Sequence, residues 1–201
     1  MNRILILYPK LFNAYSKFSR KVLKITQNID AFSIVCPDDP NGFIKRILSE
    51  NNLTADLCIN KDWTKSEITH GIVFDDGEEF CKEIELVESR NIPLRLIQIA
   101  ITRVINIKEE PNYRNLKSTP NYEYIGRGSY WGNPYAMHEG GDNRDDVIRK
   151  FKYDFDFEKF PNKKKTEVYK LVGKRLGCFC KPQACHGDIL ANFLNSWDDD
   201  R

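Results

Sequence analysis

The sequence predicts an α/β protein: a small doubly wound, Rossmann-like parallel sheet followed by a smaller α+β domain. Three observations carry that prediction. Apolar runs alternate with helical periodicity from residue 4 to 99, and a polar stretch with two prolines (106–121) then breaks the pattern. A glycine- and aromatic-rich segment (121–135) and a cysteine-rich run (178–186) mark a different second half. Alternating strands and helices imply parallel pairing through right-handed crossovers.

Each element has its own reason. "ILILYP" (4–9) and "FSIVCP" (32–37) are continuous apolar runs, as expected of strands buried on both faces. Between them, residues 14–28 carry Phe18, Val22 and Ile25 on one helical face. A second helix is expected over 42–52, a short strand over 56–59, and a strong strand over 68–77 that ends in two aspartates and a glycine. A helix over 78–91 and a strand over 92–99 complete the first domain, taken as residues 1–106. In the second domain (107–201), a short strand leads into the glycine-rich loop. Helices are expected over 145–155 and 163–172, the latter stopped by Gly173, then a strand over 175–180 and a helix over 187–197. The end, "WDDDR", reads as a solvated tail, and "KFPNKKK" (159–165) as a solvated helix start.

Composition narrows the functional classes. The chain is 41% hydrophobic and 30% charged with a formal net charge of +2, so no basic surplus indicates nucleic acid as a partner. No stretch reaches the roughly 20 apolar residues of a membrane span. The run after Met1 is strand-like rather than a signal segment, which predicts a cytoplasmic protein. In a reducing compartment Cys36, Cys58 and Cys81 are expected to be small buried apolar residues.

Ligands of open α/β sheets bind outside the carboxyl ends of the strands. "FDDG" (74–77) sets Asp75 and Asp76 at that edge, and Glu83 follows in the next helix. Carboxylates there can hold a ribose hydroxyl or act as nucleophile or base, or they can cap a helix start, the reading preferred for Glu78 and Glu79. The stretch 69–97 resembles nucleoside deoxyribosyltransferases and the related nucleotide-binding superfamily that includes cytokinin-activating phosphoribohydrolases. That resemblance implies a Rossmann-like fold, a nucleotide or nucleoside as small-molecule partner, and cleavage or exchange of an N-glycosidic bond. It places Glu83 at the catalytic glutamate, with Asp75 and Asp76 as sugar-holding groups. Residues 8–16 lack the glycines of a phosphate-cradling first loop.

The second domain joins "IGRGSYWGNPY" (125–135) to "CFCKPQACHGD" (178–188). This pair of motifs resembles an uncharacterised bacterial and phage family, the domain of unknown function 4326, whose membership implies no reaction. The residues themselves leave three readings open. Cys178, Cys180, Cys185 and His186 can bind zinc, although their spacing departs from common ligand patterns. Alternatively, Cys185, His186 and Asp188 at a helix start, with Arg144 and with Arg127, Gly128, Trp131 and Asn133 of the loop, form a pocket for a nucleotide-like anion. Or Cys178 and Cys180 fill the core, His186 makes a structural hydrogen bond, Asp188 caps the helix and Trp131 packs the loop. No cofactor is required on the last two readings; zinc is the one the motif admits.

Overall fold

A computed structural model describes residues 1–51, 53, 55–137 and 141–199. The chain forms two compact units, residues 1–99 with 196–201, and residues 100–195.

The first unit is the expected doubly wound sheet. Its strands β1 (Asn2–Leu7), β2 (Phe32–Cys36), β3 (Asp56–Ile59), β4 (His70–Asp75) and β5 (Leu94–Gln98) run parallel in the order β3-β2-β1-β4-β5. Helices α1 (Tyr15–Thr26), α2 (Phe43–Glu50) and α3 (Cys81–Ser89) make three of the four crossovers, and a short 3₁₀ turn at Trp63–Lys65 lies in the connection from β3 to β4. Alternate residues of the strands serve opposite faces. Leu5, Leu7, Val35 and Val73 form one core cluster with Val87 of α3 and Trp63. On the other parity, Phe74 stacks on Phe18 of α1 at 5.0 Å, and Phe18 lies 5.4 Å from Phe43 of α2. Phe18 is fully buried, and removing a side chain of that size from water stabilises by about 2–3 kcal/mol.

The strand order reverses between β1 and β4, so the topological switch lies above Leu7 and Asp75. The loop after β1 folds back over this edge. Phe12 is buried, with its ring 5.2 Å from that of Phe74. Asn41 holds the loop by donating from Nδ2 to the carbonyls of Lys10 and Phe12, both at 2.9 Å. A loop without glycines thus closes on its own aromatic ring.

Two expectations fail in this unit. The tail is not wholly solvated: Asp198 is buried, accepts from Ser16 Oγ at 2.9 Å and pairs with Arg20 at 2.8 Å, while Asp199 pairs with buried Lys17. Asp200 and Arg201, the end of that tail, lie outside the described residues. Cys81 is exposed rather than packed, because it opens α3 on the solvent side; Cys36 is buried and Cys58 half-buried.

The second unit is a mixed sheet in the order β6-β9-β8-β7, built from β6 (Arg103–Asn106), β7 (Ser118–Thr119), β8 (Tyr122–Tyr124) and β9 (Arg175–Cys178). By its contacts β6 belongs with this second unit, since it pairs in parallel with β9. Helices α4 (Arg144–Asp156) and α5 (His186–Asn195) bury Phe151, Phe155, Leu190 and Leu194 in one core with Leu176 and Ile125. Asn143 and Asp146 form a reciprocal capping box at the start of α4. Residues 165–171 form a 3₁₀ helix rather than an α-helix. Lys163, expected in solvent, donates to the Gly132 carbonyl at 3.1 Å with its ammonium 4.5 Å from the Phe160 ring.

No helix among the described residues is long and apolar enough to cross a membrane.

Candidate ligand and metal site

Strand β9 ends at Cys178, and the chain turns through residues 179–185 into α5. Gln183 N–H closes the turn on the Cys180 carbonyl at 3.0 Å, and Asn106 of β6 donates from its side-chain amide to the Lys181 carbonyl at 2.8 Å. The strand expected over 175–180 stops at Cys178, which is buried, and the chain leaves it with Phe179 half-exposed between two thiols and Cys180 half-buried. Cys185 precedes α5. Its backbone N–H donates to Asp188 Oδ2 at 2.9 Å, and Asp188 Oδ1 accepts from Lys181 Nζ at 2.5 Å.

These supports bring three sulfurs together. The Sγ atoms of Cys178, Cys180 and Cys185 all lie within 4.8 Å of one another, and those of Cys178 and Cys180 are 3.3 Å apart. Cys178 and Cys185 are buried and Cys180 is half-buried. Hydrogen bonds from Cys185 and Cys180 pull the Cys178 thiol down to about 6. Its two neighbours shift the other way: the hydrogen bond to Cys178 raises Cys185, and burial raises Cys180, which Arg144 partly offsets. The cluster favours one negative charge centred on Cys178. Its donor set could hold a metal ion.

His186 does not join the sulfurs. Its Nε2 lies 2.9 Å from the carbonyl oxygen of Ile125, and its ring packs edge-on against Phe151 at 4.9 Å. Burial lowers its pKa to about 4, so the ring is neutral near pH 7. The four-ligand Cys₃His set is thus corrected to three cysteines. His186 is turned into the core by the carbonyl it meets.

A cavity of about 190 Å³ opens beside the thiols. Arg127, Asn133, Tyr135, Arg144, Phe179 and the three cysteines contribute to its wall together with Val147 and Ile148 of α4, and His186 also borders it. Arg144, at the start of α4, donates to the Ala184 carbonyl at 3.2 Å and lies against Cys180. Arg127 is exposed at the rim. Asn133 fastens the loop: its Nδ2 donates to Val147 O at 3.1 Å and its Oδ1 accepts from Tyr135 N–H at 3.0 Å.

The loop needs its glycines at two places. Gly128 has φ +83°, which side chains disfavour, and a Cβ at Gly132 would stand 2.6 Å from the Gly126 carbonyl oxygen. Trp131 is 4% exposed and belongs to the core, so of the two readings, pocket residue or packing of the loop, the packing holds. Asp188 holds the Cys185 backbone and Lys181 rather than the His186 ring. Tyr135, Val147, Ile148 and Phe179 were not anticipated as wall residues. The alternation across 178–180 and the helical spacing of 144, 147 and 148 were the signals that pointed to them.

In the first unit, Asp75 is buried at the end of β4, where Oδ1 accepts from Gly77 N–H and Oδ2 from Gln98 Nε2, both at 2.8 Å. Asp76 Oδ1 accepts the N–H groups of Glu78 and Glu79, each at 3.0 Å. Glu83 lies in the first turn of α3. The two aspartates thus organise the turn into α3, beside the topological switch.

Comparison with known proteins defines the class. Residues 1–105 match the family model of the minimal SLOG domain, and residues 105–196 match that of the domain of unknown function DUF4326. The chain belongs to the minimal SLOG family, a nucleotide-related group with a Rossmann-like fold, and carries a DUF4326 domain in its second half. It is similar to an uncharacterized 12.4 kDa protein of the nrdA-td intergenic region of Enterobacteria phage T4, 44% identical over 72 residues, which are 35% of this chain and 65% of that protein. The chain therefore spans less than two thirds of that relative. No solved structure matches the chain.

Proposed function

We propose that the chain handles a nucleotide- or nucleoside-derived ligand and that the second unit receives it in the cavity beside the thiols. The observation that carries this reading is the pairing of two guanidinium groups, Arg127 and Arg144, with an otherwise largely apolar wall. Arginine binds carboxylate or phosphate oxygens bidentately, and an apolar wall suits the flat face of a base. At about 190 Å³ the cavity is smaller than the roughly 300–1,000 Å³ of pockets that enclose drug-sized ligands. It takes one base or one sugar phosphate rather than a dinucleotide. A thermal-shift screen of nucleotides, nucleosides and bases tests the reading. A ligand at a hundred times its dissociation constant stabilises by about 2.7 kcal/mol. Failure of the whole panel to raise the melting temperature, or an equal rise in Arg144→Ala, rejects it.

A second reading assigns N-glycosidic cleavage or transfer to the first unit, with Glu83 as nucleophile or base and Asp75 and Asp76 as sugar-holding groups. It is favoured by the position of Asp75 and Asp76 at the end of β4, where the strand order reverses. An oxocarbenium-like sugar needs a carboxylate facing it, as in glycoside hydrolysis. Chromatography of nucleoside monophosphates after incubation with the chain tests it. Release of free base that Glu83→Ala abolishes supports it; no release, or release unchanged by Glu83→Ala, rejects it.

A further inference from the structure

We propose that Cys178, Cys180 and Cys185 bind one zinc ion as three thiolates and leave its fourth coordination position open to the cavity.

Distance is the first argument. Zinc sits about 2.3 Å from each thiolate sulfur, and tetrahedral angles then set the sulfurs about 3.8 Å apart. Cys178 and Cys180 stand at 3.3 Å, and all three sulfurs lie within 4.8 Å of each other. Adjustments of roughly half an ångström to one ångström bring such a set to the tetrahedral spacing. A disulfide needs about 2.05 Å between two sulfurs and leaves the third without a role. All three sulfurs are close enough together for one ion to reach.

Pre-organisation is the second argument. Each thiol comes from a differently anchored piece of chain: Cys178 from the end of β9, Cys180 from the turn closed by Gln183 and Asn106, and Cys185 from the residue whose N–H Asp188 holds. Supports of this kind fix the orientation of metal ligands.

The chemistry of the donors selects the metal. Three soft sulfurs favour zinc or copper(I) over magnesium or calcium, which take oxygen. Binding releases the protons of the thiols to solvent. Zinc with three thiolates carries a net charge of minus one, and the Arg144 guanidinium against Cys180 offsets it. Structural zinc sites close with four protein ligands, whereas sites that work on a substrate hold three and an exchangeable donor. His186 is occupied with Ile125, and all three cysteines line the cavity, so the open position faces the space where a ligand enters. A water or a nitrogen or oxygen of the ligand completes the set. This last step rests on the nucleotide-ligand reading; the three-thiolate site does not.

Elemental analysis of the full chain, isolated reduced and without chelator, tests the site. About one zinc per chain is expected. Cys180→Ser should bind zinc at least tenfold more weakly in competition with a chromogenic chelator, and Cys81→Ser should bind it unchanged. Because a buried cysteine variant can fail to fold, cobalt is added to the zinc-free wild-type chain as well. A thiolate-to-cobalt charge-transfer band is expected, and its d–d bands should shift when a nucleotide binds. Less than half a zinc per chain, copper in its place, or no charge-transfer band overturns the zinc site. Zinc present with no nucleotide bound rejects the ligand reading and the open position with it, and leaves the three-thiolate site standing. Nucleotide bound with identical affinity and unchanged cobalt spectrum overturns the open position.

Discussion

The carboxylate of Asp188 accepts the backbone N–H of Cys185 at 2.9 Å, so an acid in the first turn of α5 fixes the thiol just before it. Helix caps of this kind are worth about 1 kcal/mol. Asp188→Ala is expected to lower stability by about that amount in urea unfolding and to speed alkylation of Cys185, with Asp188→Asn milder in both.

His186 is expected to matter for folding and not for metal. Its removal leaves the Ile125 carbonyl without its 2.9 Å partner and opens a hole beside Phe151. His186→Ala should cost about 2–4 kcal/mol in chemical denaturation. Zinc content per folded chain should stay that of the wild type, whereas a ligand histidine would take the zinc with it.

Arg144 should control ligand affinity. Hydrogen bonds to charged groups contribute about 1.5–3 kcal/mol, equivalent to a 10- to 150-fold change in affinity. Arg144→Ala is expected to weaken a nucleotide identified by thermal shift by a factor in that range in calorimetry, and Arg144→Lys to recover only part of it, because a lysine cannot bind in the bidentate fork.

Alkali should loosen the first unit through Cys36. Burial pushes its thiol up to about 12 from an ordinary 9.0. The neutral thiol therefore contributes stability that is complete below pH 9 and is lost as pH rises toward 12. The urea midpoint should fall across that window, and Cys36→Ala should make the fall shallower. Tyr8 shifts in the same direction, mainly through burial and its bond to Asp39, and adds to the fall.

Asp198 ties the chain end to α1. Asp198→Ala removes the acceptor of Ser16 Oγ and the partner of Arg20 and is expected to lower the melting temperature. Restoring the carboxylate one carbon further out, as Asp198→Glu, should recover part of the loss.

Which parts of the molecule were legible follows from how local their signals are. Strands β1 and β2 are largely buried apolar runs, so 4–9 and 32–37 announced them within two residues at either end, and the short run 56–59 marked β3 although that strand stays partly exposed. Strand β6 was not visible: "RVIN" is half-buried throughout and gains strand character only by pairing with β9, far along the chain. The three cysteines could be picked out because two alternate at the end of an expected strand and the third precedes a helix. The exclusion of His186 could not, since it depends on the Ile125 carbonyl, sixty-one positions away. Trp131 reads equally as stacking platform or core until Phe151, Leu176 and Leu190 are seen in the same cluster.

Asn195 grips Thr102 through both halves of its amide, Oδ1 taking the Thr102 N–H at 2.8 Å and Nδ2 giving to its carbonyl at 3.0 Å. The entry and exit of the cysteine-bearing segment are thereby clasped side by side, as in a cassette that slots into a host chain through one small opening. Chain ends held this close together are the arrangement that domain insertion tolerates in general.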